Sequence, residues 1–414
     1  MAPRSELVTG LFANRALAWS VAGLIAAIGI INALLLATPR LARVRGITDF
    51  QDFYVVGRLV LSGRAACAYD WPCLREAQMA EFGHWEYMPW AYPPQFSGLM
   101  AVLARVPHPV AFALFSLGTF GLYAVLVWRL SGRYAGFPLA LTIPAAIVNM
   151  RCGQNGFLTG ALLALFAMLY LQRRRSCGAA LGAMIIKPHL AAASAIFLMV
   201  RREFAAAAVA LAVVAVSAAV VILQLGLDIW QAFGQASEQS GRMLWDGKFP
   251  LERMVSVYAM LRQAGATAHM AMGAHLLVSL GVVCAVVGLA LRCRDERVVL
   301  AGITASSALL SPYTYDYDLP IIGVALALIA PVVVPRASGT EALAVGLLSW
   351  ISASNFLLIY LALELVPGLA SHKHVWSVSA LCLFAMGLIL AAVIRRTERS
   401  PLPQCPDHEG IHQR

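Results

Sequence analysis

The sequence predicts an all-α polytopic membrane protein, and three observations support that prediction. Of the 414 residues, 60% are hydrophobic and only 13% are charged. The mean hydropathy is +0.74, above that of ordinary soluble domains. The apolar residues form runs of about 20, the length that a helix needs to cross a bilayer core of about 30 Å. We expect a single bundle of about 10–12 transmembrane helices over residues 1–399 and a disordered cytoplasmic tail over 400–414.

The predicted membrane spans follow these apolar runs along the chain. They lie at roughly 16–37, 109–130, 135–150, 155–171, 203–225, 271–292, 297–312, 317–335, 342–366 and 375–395. Two further apolar segments are too short or too interrupted for a simple span. Residues 93–106 are bounded by prolines, which predicts a re-entrant segment. Residues 177–200 contain Lys187-Pro188-His189 in the middle, which predicts a hairpin of two half-helices.

Arginine clusters predict the orientation of these helices. The formal net charge is +10, and most arginines flank apolar runs, as the positive-inside rule requires. With a cytoplasmic N-terminus, the basic loops fall inside, and a long first extracytoplasmic loop, residues 38–91, lies outside with the other polar clusters. We therefore expect membrane lipids rather than nucleic acid as partners. The expected location is the bacterial inner (plasma) membrane, with the polar clusters facing the periplasm or cell exterior.

The cysteines give no sign of a metal framework, because most are scattered within or beside apolar runs as small hydrophobic residues. Cys67 and Cys73 differ, since both lie in the loop 38–91. They could form a disulfide if that loop faces an oxidising compartment. The sequence leaves this open.

Two carboxylates stand directly after the first apolar run. Asp49 and Asp52 are three residues apart, a spacing that places both on one face of a helix. One interpretation is a general base, with the second carboxylate as its partner or as a contact to the substrate. The other is a helix N-cap formed by Thr48 or Asp49.

Several cations occupy places where membrane proteins seldom have them. Lys187 lies near the bilayer midplane, where an ammonium group is costly and either binds an anion such as phosphate or pairs with an acid such as Asp316. Arg58, Arg151 and Arg253 run against the positive-inside trend. We predict that some of these arginines bind the same anion, and lipid headgroup contacts are the alternative.

The remaining polar clusters suggest sugar binding. Gln154 and Asn155 could hydrogen-bond a sugar or cap a helix, and His189 could equally be a wall residue. Two aspartates with no nearby His or Glu give only a weak metal signal, so we predict neither a metal nor a cofactor. The residues expected to bind sugar or acceptor are Tyr92, Gln154, Asn155, His189, Tyr315, Asp316 and Asp318.

Five motifs occur in an order that resembles glycosyltransferase family 87. They are Asp49-Phe50-x-x-Phe53-Tyr54-x-x-Gly57, Tyr92-Pro93-Pro94, Gly153-Gln154-x-Gly156, Lys187-Pro188 and Ser311-Pro312-x-Thr314-x-Asp316-Tyr317-Asp318. Each is weak alone, but five in order are fairly specific. The resemblance covers roughly residues 45–335. It implies a GT-C-like bundle that uses a polyprenyl-phosphate sugar, typically mannose.

The resemblance also implies roles for individual residues. Asp49 is similar to the catalytic aspartate of that family, which makes Asp49 the general base and Asp52 a supporting acid. Lys187 and nearby arginines resemble ligands of the donor phosphate. The implied reaction is inverting transfer of a hexose from a polyprenyl-phosphate donor to a lipid or glycan acceptor on the extracytoplasmic side. Tyr313 and Tyr315 stand near the position where many relatives have a histidine.

A lipid or solute transporter, or flippase, is the alternative function. Broken helices, a midplane lysine and buried carboxylates suit a transporter as well as a transferase. The chain shows no sign of two similar halves, which favours the transferase.

Overall fold

The computed structural model describes residues 4–38, 48–358 and 376–399. Over these ranges the chain is helical, and its only extended pairing is an isolated antiparallel bridge between Met254 and Tyr315. The helices are α1 (Arg4–Phe12), α2 (Arg15–Leu36), α3 (Asp49–Leu61), α4 (Trp71–Phe82), α5 (Pro94–Leu103), α6 (His108–Ser131), α7 (Gly136–Leu141), α8 (Ile143–Cys152), α9 (Gly156–Leu171), α10 (Cys177–Ala183), α11 (Ala192–Val200), α12 (Phe204–Leu225), α13 (Asp228–Trp245), α14 (Val257–Gln263), α15 (Ala268–Arg292), α16 (Glu296–Leu310), α17 (Pro320–Val333), α18 (Gly339–Ala353) and α19 (Ser379–Arg399).

Long apolar helices confirm the predicted all-α polytopic membrane fold. Within the described ranges, six helical segments are long and apolar enough to cross a membrane, and each overlaps one predicted span. They are Arg15–Leu36, His108–Tyr134, Phe204–Leu225, Ala268–Arg292, Asp316–Val333 and Ser379–Arg396. Several expose large apolar side chains, such as Leu223 and Leu277, as expected of surfaces that face lipid.

The other four predicted spans form shorter elements. A single span over 135–150 is wrong, because the chain breaks at Thr142 into α7 and α8, and Pro144 in the first turn of α8 cannot continue a preceding helix. The runs 155–171 and 297–312 form α9 and α16, of 16 and 15 residues. In the run 342–366, α18 ends at Ala353, and 359–366 lie outside the described residues.

The segment 177–200 is broken at its centre, as its proline predicts. Helices α10 and α11 are separated by two 3-10 turns, Met184–Ile186 and Pro188–Ala191. Between the turns, Lys187 has φ −144° and ψ 72°, which is not a helical conformation. Pro188 explains this, because a proline disfavours helical backbone at the residue before it. At this break Lys187 is buried, with only 6% of the residue exposed.

The basic loops meet at one end of the bundle, called here the arginine-rich end. Arg173 lies 2.7 Å from Glu296 at the start of α16, and Arg201 donates a hydrogen bond to the carbonyl oxygen of Cys293. Arg297 donates to backbone carbonyls near the ends of α6 and α17. Helices α3 and α5 lie at the other end, called the site end. Which compartment each end faces stays a prediction.

The first loop packs tightly at the site end. Cys67 and Cys73, whose pairing the sequence leaves open, form a disulfide. Helix α3 lies directly on α5, since a Cβ on Gly57 would stand 2.4 Å from the Met100 carbonyl oxygen. This close approach explains why the first motif ends in glycine.

The turn between α8 and α9 requires both glycines of the Gly-Gln-x-Gly motif. Gly153 has φ +66°, a left-handed conformation that glycine adopts without strain. A Cβ on Gly156 would stand 1.9 Å from the carbonyl oxygen of Tyr317. The same carbonyl oxygen accepts a 2.9 Å hydrogen bond from Asn149 Nδ2. The turn is therefore fitted against the segment that contains Asp316 and Asp318.

We predict that Gly156→Ala lowers the thermal midpoint of the detergent-solubilised protein. The added methyl group must displace the Tyr317 backbone, and overpacking of this kind costs about 1–3 kcal/mol. Gly121→Ala is the matched control, because a Cβ there meets no atom within 4 Å. Thermal unfolding followed by tryptophan fluorescence would compare them. Equal midpoints for Gly156→Ala and wild type would contradict the close packing.

Candidate active site

A cavity of about 450 Å3 opens at the site end. Its walls come from α3, the segment before α5, the break between α10 and α11, helix α13, and the loops before α14 and α17. The predicted site residues that line it are Asp49, Asp52, Tyr92, Gln154, Lys187, His189, Arg253, Tyr315 and Asp318. The structure therefore brings together side chains from widely separated parts of the sequence.

Asp49 is the first residue of α3. Thr48, in extended conformation, is the N-cap, and its backbone N–H donates to Gln51 Oε1 at 2.9 Å. The carboxylate of Asp49 is therefore not used as a cap and faces the cavity. It accepts a 2.7 Å hydrogen bond from Gln154 Nε2. The first turn of a helix also favours a negative charge.

Gln154 fixes the position of the Asp49 carboxylate. Its Oε1 accepts hydrogen bonds from the Tyr92 hydroxyl and the Asn155 backbone N–H, both at 3.1 Å. Because both hydrogen bonds occupy Oε1, the NH2 group of the Gln154 amide is the end that faces Asp49. Burial, with the charges of Asp318 and Asp49, raises the pKa of Tyr92 well above its ordinary value. Tyr92 therefore stays protonated as the donor to Gln154.

Asp52 lies one turn after Asp49, on the same face of α3, as the spacing predicts. It is only 5% exposed and accepts a 2.8 Å hydrogen bond from Gln78 Nε2. Gln78 Oε1 accepts from the Glu86 N–H. Burial, together with the charge of Asp49, raises the pKa of Asp52 to about 7 against the opposing Gln78 hydrogen bond. The two carboxyl groups thus have different surroundings.

Lys187 lines the cavity and forms an ion pair with Asp318. Its Nζ donates to Asp318 Oδ1 at 2.6 Å and lies 4.8 Å from the Tyr317 ring centroid. Asp318 Oδ2 accepts from the Tyr315 N–H. Asp316, the partner suggested by the sequence, does not pair with Lys187. An ammonium group has three donors, so Lys187 can bind a further anion without leaving Asp318.

Arg253 forms a second ion pair, with the buried Asp316. Its Nε and Nη2 donate to the two carboxylate oxygens of Asp316 at 3.2 and 2.9 Å, a bidentate geometry of high specificity. The guanidinium group also lies 4.4 Å from the Phe356 ring centroid. Asp316 is buried behind Arg253 and does not line the cavity. The remaining guanidinium donors are available to a ligand.

Backbone pairing brings Arg253 to this position. The Val255 N–H donates to the Thr314 carbonyl oxygen at 2.8 Å, next to the bridge between Met254 and Tyr315. Ser256 Oγ donates to the Pro312 carbonyl oxygen at 2.8 Å. The loop before α14 is therefore fixed along the Ser-Pro motif.

Four of the predicted site residues do not line the cavity, and one of them is Asp316, which lies behind Arg253. Arg58 points away from it, with a 54% exposed side chain 3.8 Å from Glu81. Arg151 lies near the end of α8 and does not line the cavity. Asn155 is fully buried behind Gln154. The structure therefore does not bring Arg58, Arg151, Asn155 or Asp316 into the cavity with the other predicted phosphate and sugar ligands.

Other lining residues were not predicted. Helix α13 contributes a row with helical spacing, namely Phe233, Ser237, Ser240, Gly241 and Leu244. The alternation of small polar and apolar residues in 226–270 was the available signal. Tyr313 and Tyr317 also line the cavity. Among the residues that the structure describes, no group of three or more His, Cys, Asp or Glu is placed to hold a metal ion.

Comparison with known proteins gives one match. The model of Glycosyltransferase family 87 matches residues 90–312, slightly more than half of the 414 residues. This range includes Tyr92, Gln154, Lys187 and Arg253 but ends before Asp316. No curated protein and no solved structure matches the chain.

We predict that Asp52→Asn flattens the pH dependence of stability. The folded protein holds the Asp52 proton up to about pH 7, against 3.8 for an unperturbed carboxyl group. Unfolding therefore releases a proton in that window, and stability falls as pH rises, by at most about 1.4 kcal/mol per pH unit. The asparagine oxygen can still accept from Gln78. Thermal midpoints between pH 5 and 8 should fall less steeply in the variant than in wild type, and parallel curves would refute this.

Proposed function

The chain belongs to glycosyltransferase family 87, and on that premise we propose that it transfers a hexose from a polyprenyl-phosphate donor with inversion of configuration. The family and the long apolar helices make it a membrane glycosyltransferase. The observation that supports the finer proposal is one cavity that contains the Asp49 carboxylate and two cations, Lys187 and Arg253, each paired with a buried aspartate. Mannose as the hexose follows from the motif resemblance.

The proposed acceptor is a hydroxyl group of a lipid or glycan that enters at the site end. The basic loops lie at the opposite end, so the positive-inside rule supports a site that faces the periplasm or cell exterior. The cavity of about 450 Å3 falls within the roughly 300–1,000 Å3 of small-molecule sites. It is therefore large enough for a sugar phosphate.

In the proposed reaction, Asp49 accepts the proton of the acceptor hydroxyl group. The hydroxyl oxygen forms a bond to the anomeric carbon on the face opposite the phosphate. The bond from that carbon to the phosphate oxygen breaks, and its electron pair leaves with the polyprenyl phosphate. A single displacement inverts the anomeric carbon, so a β-linked donor gives an α-linked product. One carboxylate suffices because the leaving group is already activated, whereas glycoside hydrolysis needs two.

Lys187 and Arg253 are proposed to stabilise the departing phosphate. That group gains negative charge as the bond breaks, and fixed cations in a buried site stabilise such charge strongly. Asp318 and Asp316 hold the two cations when the donor is absent, which reduces the cost of burying them. Tyr92, Gln154, His189 and Tyr315 are proposed to contact the sugar or the acceptor.

We predict that Asp49→Asn lowers sugar transfer by about 10²- to 10⁴-fold, the contribution typical of a general base. Asparagine keeps the size of the side chain, so folding should be preserved. Asp228→Asn is the matched control, because Asp228 also begins a helix but is exposed and outside the cavity. Transfer from a radiolabelled polyprenyl-phosphate mannose would be measured in membranes with equal protein amounts. Full transfer by Asp49→Asn would exclude Asp49 as the base.

A second prediction tests the role of Lys187 in binding the donor. Lys187→Gln alone leaves Asp318 buried without its partner, which costs about 3–5 kcal/mol. The double variant Lys187→Gln/Asp318→Asn removes both charges and should fold. Its kcat/KM for the donor should fall by about ten- to a hundredfold, the value of a charge-assisted hydrogen bond.

The matched control is Arg242→Gln/Glu238→Gln, which neutralises an exposed ion pair on α13. It should keep the wild-type kcat/KM. A folded Lys187→Gln/Asp318→Asn variant with wild-type kcat/KM would contradict a role for Lys187 at the phosphate.

A further inference from the structure

A second cavity, of about 910 Å3, lies away from the active site, between α15 and α19. Helices α16 and α17 pack against each other beneath it, while α15 packs on α16 and α19 on α17. We call it the lateral groove. Its walls are small or aliphatic residues that recur every three or four positions, such as Gly288, Ala301, Ala305, Ile329, Gly387 and Leu390.

The lateral groove ends in arginines at the arginine-rich end. Arg292, Arg294 and Arg395 line that end, and all three are exposed. Among the side chains that the structure describes, none of the three has an ion-pair partner. Asp295 is nearby, but its carboxylate accepts from the N–H groups of Arg297 and Val298 as the N-cap of α16. The groove end therefore has an excess of positive charge.

The length of the groove matches one leaflet of a bilayer. Along α16 it extends from Val298 to Leu309, about 16 Å at 1.5 Å per residue. Half of a bilayer core of about 30 Å is about 15 Å. A ligand that fits has apolar chains one leaflet long and an anionic head at the membrane surface.

We propose that the lateral groove binds an anionic phospholipid of the surrounding membrane, with its phosphate among Arg292, Arg294 and Arg395. Basic residues near the membrane surface attract anionic headgroups, and the aliphatic walls accept the acyl chains. The bound lipid bridges α15 and α19. The floor helices α16 and α17 flank the segment that contains Asp316 and Asp318. A lipid in the groove thus stabilises the helices that hold the acids of the active site.

Native mass spectrometry of the full chain, released from detergent micelles, tests this proposal. Phosphatidylglycerol and phosphatidylcholine with identical acyl chains would be titrated against the delipidated protein. We expect tighter binding of phosphatidylglycerol. Arg292→Gln/Arg294→Gln should weaken it by roughly tenfold or more. The matched control Arg174→Gln/Arg175→Gln removes two exposed arginines in a neighbouring basic cluster outside the groove, and its binding should be unchanged.

Gly288→Leu tests the apolar part of the groove with the arginines intact. A Cβ on Gly288 meets no atom within 4 Å, so a leucine can occupy the space of an acyl chain without disturbing helix packing. Phosphatidylglycerol binding should be lost. The proposal is overturned if both lipids bind equally, if the groove and control variants behave alike, or if phosphatidylglycerol binds only after residues 400–414 are removed. The last result would identify the C-terminal segment as the occupant.

Discussion

Two ion pairs with buried aspartates, Lys187 with Asp318 and Arg253 with Asp316, are the constraint on which the site depends. Each cation comes from a different segment, while both acids lie on one short turn. A buried charge that loses its partner costs about 3–5 kcal/mol, so the three segments must meet. The helix break before Pro188 and the bridge beside Arg253 are the local features that allow them to do so. Both cations of the resulting cavity are thus paired with acids, and the proposed donor would meet them in fixed positions.

The carboxyl groups of Asp49 and Asp52 lie one helical turn apart but have different surroundings. Asp49 faces the cavity and accepts from Gln154, which is itself oriented by Tyr92. Asp52 is buried against Gln78, and because burial raises its pKa to about 7 it stays protonated in mildly acidic solution. When two neighbouring acids have such different surroundings, they typically have different roles in the site. The proposed base is therefore the residue whose position is fixed by hydrogen bonds from distant segments.

The sequence predicts the helical membrane fold and the charged residues that line the cavity, because those features have local signals. Apolar runs mark the long helices, and the i, i+3 spacing puts Asp49 and Asp52 on one face. Ion pairs between residues far apart in the sequence have no such local signal. Arg253 and Asp316 are about 60 residues apart, and their side chains meet because the backbone bridge between Met254 and Tyr315 brings the two segments together. The sequence does not distinguish Arg253, which lines the cavity, from Arg58, which does not. Hydropathy likewise does not report the break at Thr142, since both sides of it are apolar.

The most direct measurement is a cryo-electron microscopy structure of the protein with a non-transferable phosphonate analogue of a polyprenyl-phosphate sugar. The proposed mechanism predicts phosphonate oxygens within about 3 Å of Lys187 and Arg253, the distance of charge-assisted hydrogen bonds. The anomeric carbon should then face the space next to Asp49, where the acceptor hydroxyl group must lie. A phosphonate bound near Arg58 or Arg151, or an anomeric carbon turned away from Asp49, would contradict it.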